Sequence, residues 1–291
     1  IALLNPNTRT CPIFRGKRDA ELTKAIYRRV PVLIKEGPPE VNPWGLMIRR
    51  VFDMGSPDTI DICIPSDSII GNVAVVPMYE AKLFHQFDHH LSTYGSQKVN
   101  NIGGADKLSP TTVITPRFWV TVKELENRLN DKWERKWLLG WRNICRNTDE
   151  RTVIASIIPR SATDFSTRVG FISGSLYSRA YLFLANLNSQ VFDFTARQMH
   201  GGTNLSDYIT KQLPVLPPQT YHQSCPWLPT SLQSPVSAFL LPRVLELTYT
   251  AYDLRPFAQD CGYHGPPFRW DEARRFLLRC ELDAAYFHLY G

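Results

Sequence analysis

Apolar positions recur along this chain at two periods, and each predicts a different kind of element. Leu22, Ile26 and Val30 fall four residues apart, the spacing of one helical stripe, with Asp19 placed as its N-cap. Pro38-Pro39 and Asn42-Pro43 then break that helix. Met78 to Leu91 reads as an amphipathic helix with Leu83, Phe84 and Phe87 inward. Thr121-Val122-Lys123-Glu124 matches a capping box and predicts a helix through about Asp131. The period then shortens. Leu138 to Cys145 and Thr152 to Ile158 read as strands joined by the polar turn Arg146 to Arg151, and Phe165 to Ile172 as a third strand. From a Ser175 cap, Leu176, Leu182, Phe183, Leu187, Val191 and Phe194 predict one long buried helix, closed by Gly201-Gly202. Beyond the stiff Pro214 to Pro218 stretch, two more helices are expected, Pro242 to Cys261 and Asp271 to Tyr290. The second places Phe276, Leu277, Cys280, Ala284 and Phe287 on one side.

This order of elements predicts an α+β fold, a mixed domain followed by a C-terminal helical arm. The expected divisions are a helical linker over residues 1–40, a mixed domain over 41–218 and a helical region over 219–291. A 291-residue chain with 43% hydrophobic and 12% aromatic residues has ample material for a buried core. No apolar run approaches the ~20 residues of a membrane helix, so no membrane partner is expected. The chain opens on Ile1 without a charged-then-apolar leader, as a fragment of a longer protein would. Six scattered cysteines without a C-x-x-C pair argue against a zinc cluster and point to a reducing, cytoplasmic setting.

Charge changes the picture by its placement. The net value is only +6, but residues 117–179 carry 12 basic and 7 acidic side chains, whereas residues 61–116 carry 3 and 5. A basic middle beside an acidic stretch can present one positive face to a polyanion, and it can equally be a solvated surface with no partner.

Several motifs bear on catalysis. A glycine-rich loop for a methyl donor is missing. So is an Asn/Asp-Pro-Pro-aromatic turn for a flipped adenine, since neither Asn5-Pro6-Asn7-Thr8 nor Asn42-Pro43-Trp44-Gly45 has a second proline with an aromatic after it. Pro57-Asp58 with Glu80-Ala81-Lys82 matches the loose P-D…E-x-K pattern of Mg²⁺-dependent nucleases, in which carboxylates hold the metal and a lysine assists water. His85, His89 and His90 beside Asp88 have metal-ligand chemistry, but the same types make a polar helix face. No catalytic residue and no metal site is assigned.

The turn from Trp141 to Arg151 is more informative. Arg142, Asn143, Arg146, Asn147, Thr148 and Arg151 are the side chains that read guanine, adenine and phosphate. Strand alternation would send Arg142, Ile144 and Arg146 to one face. The competing reading is a turn salt-bridged through Asp149 and Glu150. A second polar cluster, Arg197-Gln198 with Gly201-Gly202-Thr203, follows the long helix.

These segments carry a resemblance. Leu184 to Ser189, Arg197-Gln198, Gly201-Gly202-Thr203 and Leu213 to Pro218 resemble the end of a target-recognition domain, as in type I specificity subunits and type IIG-like adenine-N6 DNA methyltransferases of restriction–modification and phage-defence systems. Asn5 to Thr8 with Cys11 to Phe14, Tyr79 to Asp88, Arg146 to Thr152, Arg243 to Tyr249 and Glu281 to Tyr286 resemble the fused bacterial enzymes, in the same order along nearly the whole chain. The resemblance implies a mixed recognition fold that clamps duplex DNA opposite a methyltransferase domain of the same polypeptide, absent here. It implies S-adenosylmethionine for that parent and no cofactor for this chain. Side-chain chemistry then selects the contacts. Arg142, Arg146 and Arg151 are expected at bases or phosphates, and Asn147, Thr148, Arg197, Gln198 and Thr203 as hydrogen-bonding partners. Lys82, His85, Arg117 and Lys211 are expected at phosphates. The rivals are the nuclease on Asp58, Glu80 and Lys82, and a protein-interaction scaffold using the terminal helices.

Overall fold

The computed structural model describes residues 1–12, 14–68, 73–95, 98–129 and 132–291. Within them ten strands occur: β1 (Leu46–Arg49), β2 (Ile64–Pro65), β3 (Val75–Tyr79), β4 (Ser92–Tyr94), β5 (Val99–Asn101), β6 (Phe118–Thr121), β7 (Trp137–Arg142), β8 (Ala155–Pro159), β9 (Ala162–Thr163) and β10 (Thr167–Ile172). The principal helices are α1 (Lys17–Arg29), α2 (Val122–Leu129), α3 (Ala180–Asn188), α4 (Gln190–Met199), α5 (Val236–Thr248) and α6 (Glu272–Tyr290). The fold is α+β.

The central sheet is antiparallel, in the order β1-β10-β7-β8, with Leu46 opposite Ile172, Gly170 opposite Leu139 and Gly140 opposite Ser156. Its inner strands are buried on both faces, so they carry near-continuous apolar runs rather than alternation. Gly170 is fixed by packing, because a Cβ there would stand 2.9 Å from both Leu46 Cδ1 and Trp141 Cζ3. The second sheet runs β2-β6-β3-β9, with β3 and β9 parallel and Met78 opposite Ala162. The chain passes from β9 in this sheet to β10 in the other, so residues 164–166 cross the seam between them.

The expected strand–turn–strand is present as β7 and β8, and the expected third strand as β10. Thr121 Oγ1 accepts from Glu124 N at 3.2 Å and caps α2, while Glu124 turns to Arg128 rather than back to the cap. The expected end of this helix near Asp131 lies outside the described residues, as does Ile13. Asp19 falls in the first turn of α1, whose N-cap is Gly16, and Leu22 is exposed while Ile26 and Val30 are buried.

Four expectations are corrected. Met78 to Leu91 is not a helix: β3 ends at Tyr79, where pairing with β9 overrides the helical spacing, and a short 3₁₀ turn follows at Ala81–Leu83. The single long helix is two, because Ser189 ends α3 and its Oγ caps α4 by accepting from Phe192 N at 3.3 Å. The helix expected over Pro242 to Cys261 is displaced and broken: Pro242 is inside α5, which ends at Thr248, and a separate short helix spans Arg255–Asp260. On α6 the buried face is Arg275, Leu278, Leu282, Ala285 and Tyr286; Phe276, Leu277, Cys280, Ala284 and Phe287 are exposed.

One hydrophobic core joins all three expected divisions, from Ile26 through Trp137 to Tyr286. The N-terminal segment is stitched in by Leu33 N to Leu213 O at 2.8 Å and Val215 N to Pro31 O at 3.1 Å. Among the described residues no helix is long and apolar enough to cross a membrane, and all six cysteines are free thiols.

Candidate nucleic-acid interface

The loop after β7 is built on α4. Asp193, buried on that helix, accepts the backbone N–H groups of Thr152 and Val153 through Oδ1, at 2.7 and 2.8 Å. Its Oδ2 takes Arg197 Nε at 2.8 Å. Arg197 then donates to the carbonyls of Asn147 (3.2 Å) and Glu150. Below the loop, Cys145 N donates to Thr203 O at 3.0 Å and Leu205 N to Asn143 O at 2.7 Å, which binds residues 143–145 to the strip after α4. Asp149 completes the turn by accepting Arg146 N at 2.9 Å. A charged scaffold thus fixes the loop backbone from beneath.

That arrangement leaves Arg146 exposed, and among the described residues its guanidinium has neither an ion pair nor a hydrogen bond. The alternative of a turn salt-bridged through Arg146 is therefore not how the loop is held; Asp149 uses the Arg146 backbone instead. Thr148 and Thr203 are exposed beside it. Asn147 and Gln198 line a polar hollow of ≈400 Å³ together with Arg15 and His200.

Toward β7 the same loop borders a second concavity. Ile144 lines a cleft of ≈480 Å³ at the seam of the two sheets, with Lys82, Arg117, Arg142, Phe118, Asp164 and Phe165. Lys82, Arg117 and Phe118 also line an adjoining cleft of ≈880 Å³. Lys82 pairs with Glu80 at 2.9 Å and lies over the Tyr94 ring; Arg117 is exposed over Phe118. Burial, reinforced by repulsion from Glu80, pushes the Asp164 carboxyl up to about 6.

The structure thus groups Lys82, Arg117, Arg146, Asn147, Thr148, Gln198 and Thr203 around one loop and its flanking concavities. Five expected contacts have other work. Arg142 turns inward to the Phe84 carbonyl and ring, where burial pushes its guanidinium down to about 10; one face still lines the cleft. Arg151 faces Asp283 of α6 at 3.8 Å, and Arg197 is the loop brace. Lys211 is tied to Glu36 at 2.5 Å. His85 is pushed down to about 4, first by burial and then by Arg142, so it is neutral at pH 7 and adds no charge for phosphate. Strand alternation does not reach Arg146, because β7 ends at Arg142 and Ile144 bridges to Asn204.

Other chemistry is less assembled. Glu80 follows β3, but Asp58 is on a separate one-turn helix and does not line the cleft that holds Glu80 and Lys82. His89 and His90 do not share a helix face with His85. Their Nε2 atoms reach Asp253 Oδ1 and Oδ2 at 2.8 and 2.9 Å, and these three side chains have ligand atoms within 4.8 Å of one another. Asp253 is held well below the usual carboxylate range by its histidine partners, against burial, and an ionised acceptor requires both Nε2 atoms to carry hydrogen. Cys145 Sγ lies 3.6 Å from His200 Nε2, yet burial pushes the thiol up to about 11, leaving it protonated and a poor nucleophile. Sequence reasoning missed Asp164 and Asp193, single acids in apolar or polar runs with no spacing signal. No family model matches the chain, and no curated protein sequence matches it.

Proposed function

We propose that this chain is a sequence-specific duplex DNA recognition module serving an adenine-N6 DNA methyltransferase of a restriction–modification system, whose catalytic domain is a separate part of the polypeptide. The observation that carries the reading is the loop at Arg146. A charged network from Asp193 and Arg197 holds its backbone, while among the described residues the Arg146 guanidinium has no hydrogen-bond or ion-pair partner. An arginine presented on a braced loop, with Thr148 and Asn147 beside it, is suited to bidentate reading of a guanine in the major groove. Lys82 and Arg117 flank the loop as phosphate contacts that fix register without reading sequence. The exposed Phe276, Leu277 and Phe287 of α6 supply an apolar face for packing against the methyltransferase domain.

Selection of duplexes from a random pool, with the purified chain at two salt concentrations, tests the reading. Recovery of one sequence motif at low salt, with affinity falling steeply as salt rises, is the expected result. Indifference to DNA at low salt would favour a protein-interaction scaffold, and Mg²⁺-dependent nicking would favour a nuclease.

A further inference from the structure

The cleft at the sheet seam contains two polar groups whose capacity the protein itself leaves unused. Asp164 is 6% exposed, and its Oδ1 accepts both Ser166 N and Ser166 Oγ, at 3.0 and 2.5 Å. Its Oδ2 accepts nothing among the described residues. Across the same cleft Arg142 commits one terminal nitrogen to the Phe84 carbonyl, while among the described residues Nη1 has no hydrogen bond and the buried Nε has no partner. The two side chains line one cavity without forming an ion pair with each other, so an acceptor and a donor face the same space. Phe118 and Phe165 add aromatic walls, and Phe165 is 40% exposed. The volume of ≈480 Å³ is within the range of small-molecule sites and far too confined for a double helix.

Given that this chain binds DNA, we propose that the cleft receives a single nucleobase everted from the bound duplex and grips its Watson–Crick edge between Asp164 and Arg142. Every base carries a hydrogen donor next to an acceptor on that edge. In a paired duplex both are used, so the edge is offered only by a base out of the stack. The edge donor goes to Asp164 Oδ2 and the edge acceptor to Arg142 Nη1. Phe118 and Phe165 replace the stacking lost, as aromatic rings do in single-strand binding. Lys82 and Arg117, shared with the adjoining cleft, take the phosphates on either side of the everted nucleotide.

The test uses two labelled duplexes of the selected sequence, one fully paired and one carrying a single unpaired 2-aminopurine. The bulged duplex is expected to bind about tenfold more tightly than the paired one, as befits one bidentate base contact. Its 2-aminopurine should be shielded from acrylamide quenching. Asp164→Asn keeps an oxygen for Ser166 but turns the free acceptor into a donor, and Phe165→Ala removes one wall at an exposed position. Each should abolish the preference and the shielding, while paired-duplex affinity stays within about threefold and the circular dichroism spectrum is unchanged. Paired-duplex binding with no gain from the bulge, or a gain that survives both variants, overturns the base pocket and leaves DNA recognition standing. Failure to bind either duplex overturns both.

Discussion

The guanidinium of Arg197 holds the carbonyl of Asn147 at 3.2 Å, so a residue four positions beyond Asp193 on one helix turn sets the backbone of the loop that presents Arg146. The two arginines therefore have separable roles. Arg197→Ala removes charge-assisted bonds and deprives the buried Asp193 of its ion-pair partner at 2.8 Å, which should lower unfolding free energy by about 2–3 kcal/mol. Arg146→Ala breaks no side-chain hydrogen bond or ion pair among the described residues and should leave urea stability unchanged within about 0.5 kcal/mol. It should relax preference at one base pair by ~1–3 kcal/mol. Measuring urea denaturation and the ratio of specific to non-specific affinity on both variants checks this; a large stability loss in Arg146→Ala would make that residue structural.

The salt dependence of binding should separate the cations that line the two clefts from Lys211 and His85, which line neither. Lys82→Ala and Arg117→Ala should each reduce the slope of log affinity against log salt by about one, since each phosphate contact releases a counterion. Lys211, tied to Glu36, and His85, neutral at pH 7, should leave that slope unchanged when replaced by alanine. A slope that falls equally for all four variants would place the DNA on a different face.

The fold was legible where local chemistry and tertiary packing agree. The β-branched and aromatic runs of β7, β8 and β10 could only be strands, and Thr121 named its helix start. It was illegible where packing overrides spacing. Leu83, Phe84 and Phe87 fit a helical stripe, yet backbone pairing of Met78 and Tyr79 with β9 extends the chain just before them. The break at Ser189 is hidden because α3 is buried all round and has no polar face to show its register. On α6, Arg275 is buried beneath Trp270, with its guanidinium 3.7 Å from that ring, so a charged residue starts the inward face that Leu278, Leu282, Ala285 and Tyr286 continue, a different face from the apolar stripe of the sequence pattern. At the site, the donors of the Arg146 loop were visible as a polar run. Asp164 and Asp193 were not, since their importance arises only when two sheets and a helix bring distant backbone to them.

Added S-adenosylmethionine should neither bind this chain nor raise its melting temperature. A ligand that binds only the native state must stabilise it by mass action, and the sequence has neither the glycine-rich loop nor the Asn-Pro-Pro-aromatic turn that would hold the donor and its target. A saturable calorimetric signal with the methyl donor would contradict the assignment of catalysis to another domain.

Stability should depend on Asp164 in a direction opposite to most carboxylates. Its folded pKa of about 6 is above the usual 3.8, so the native state binds more protons than the unfolded state between these values. Stability then falls as pH rises from about 4 to about 6 and is level above. A rise of about two units corresponds to ~3 kcal/mol at most. Asp164→Asn, which cannot ionise, should therefore be more stable than the parent at pH 7.5 by up to this amount, with the difference vanishing near pH 4. Parallel pH profiles for the two proteins would show that the Asp164 carboxyl is ionised as readily folded as unfolded.

Asp253 should behave in the ordinary sense and anchor the C-terminal helices. Its two oxygens take His89 and His90, which follow the β3 segment, so one carboxylate joins the sheet region to the C-terminal helical region. Burial and the neighbouring His89 push His90 down, which keeps that imidazole neutral and a donor at pH 7. Replacing Asp253 by asparagine removes the charge and, at one of the two histidines, sets an amide N–H against an N–H. Bonds to a charged group contribute about 1.5–3 kcal/mol each, so the variant should lose about 3 kcal/mol at pH 7. The sign with pH follows from the lowered pKa. The contribution is full above the unfolded value of 3.8 and is lost as pH falls below it. The gap between parent and Asp253→Asn should accordingly be constant from pH 5 upward and narrow on acidification below about 4. A gap that widened in acid would mean that protonated histidines, rather than the carboxylate, dominate this junction.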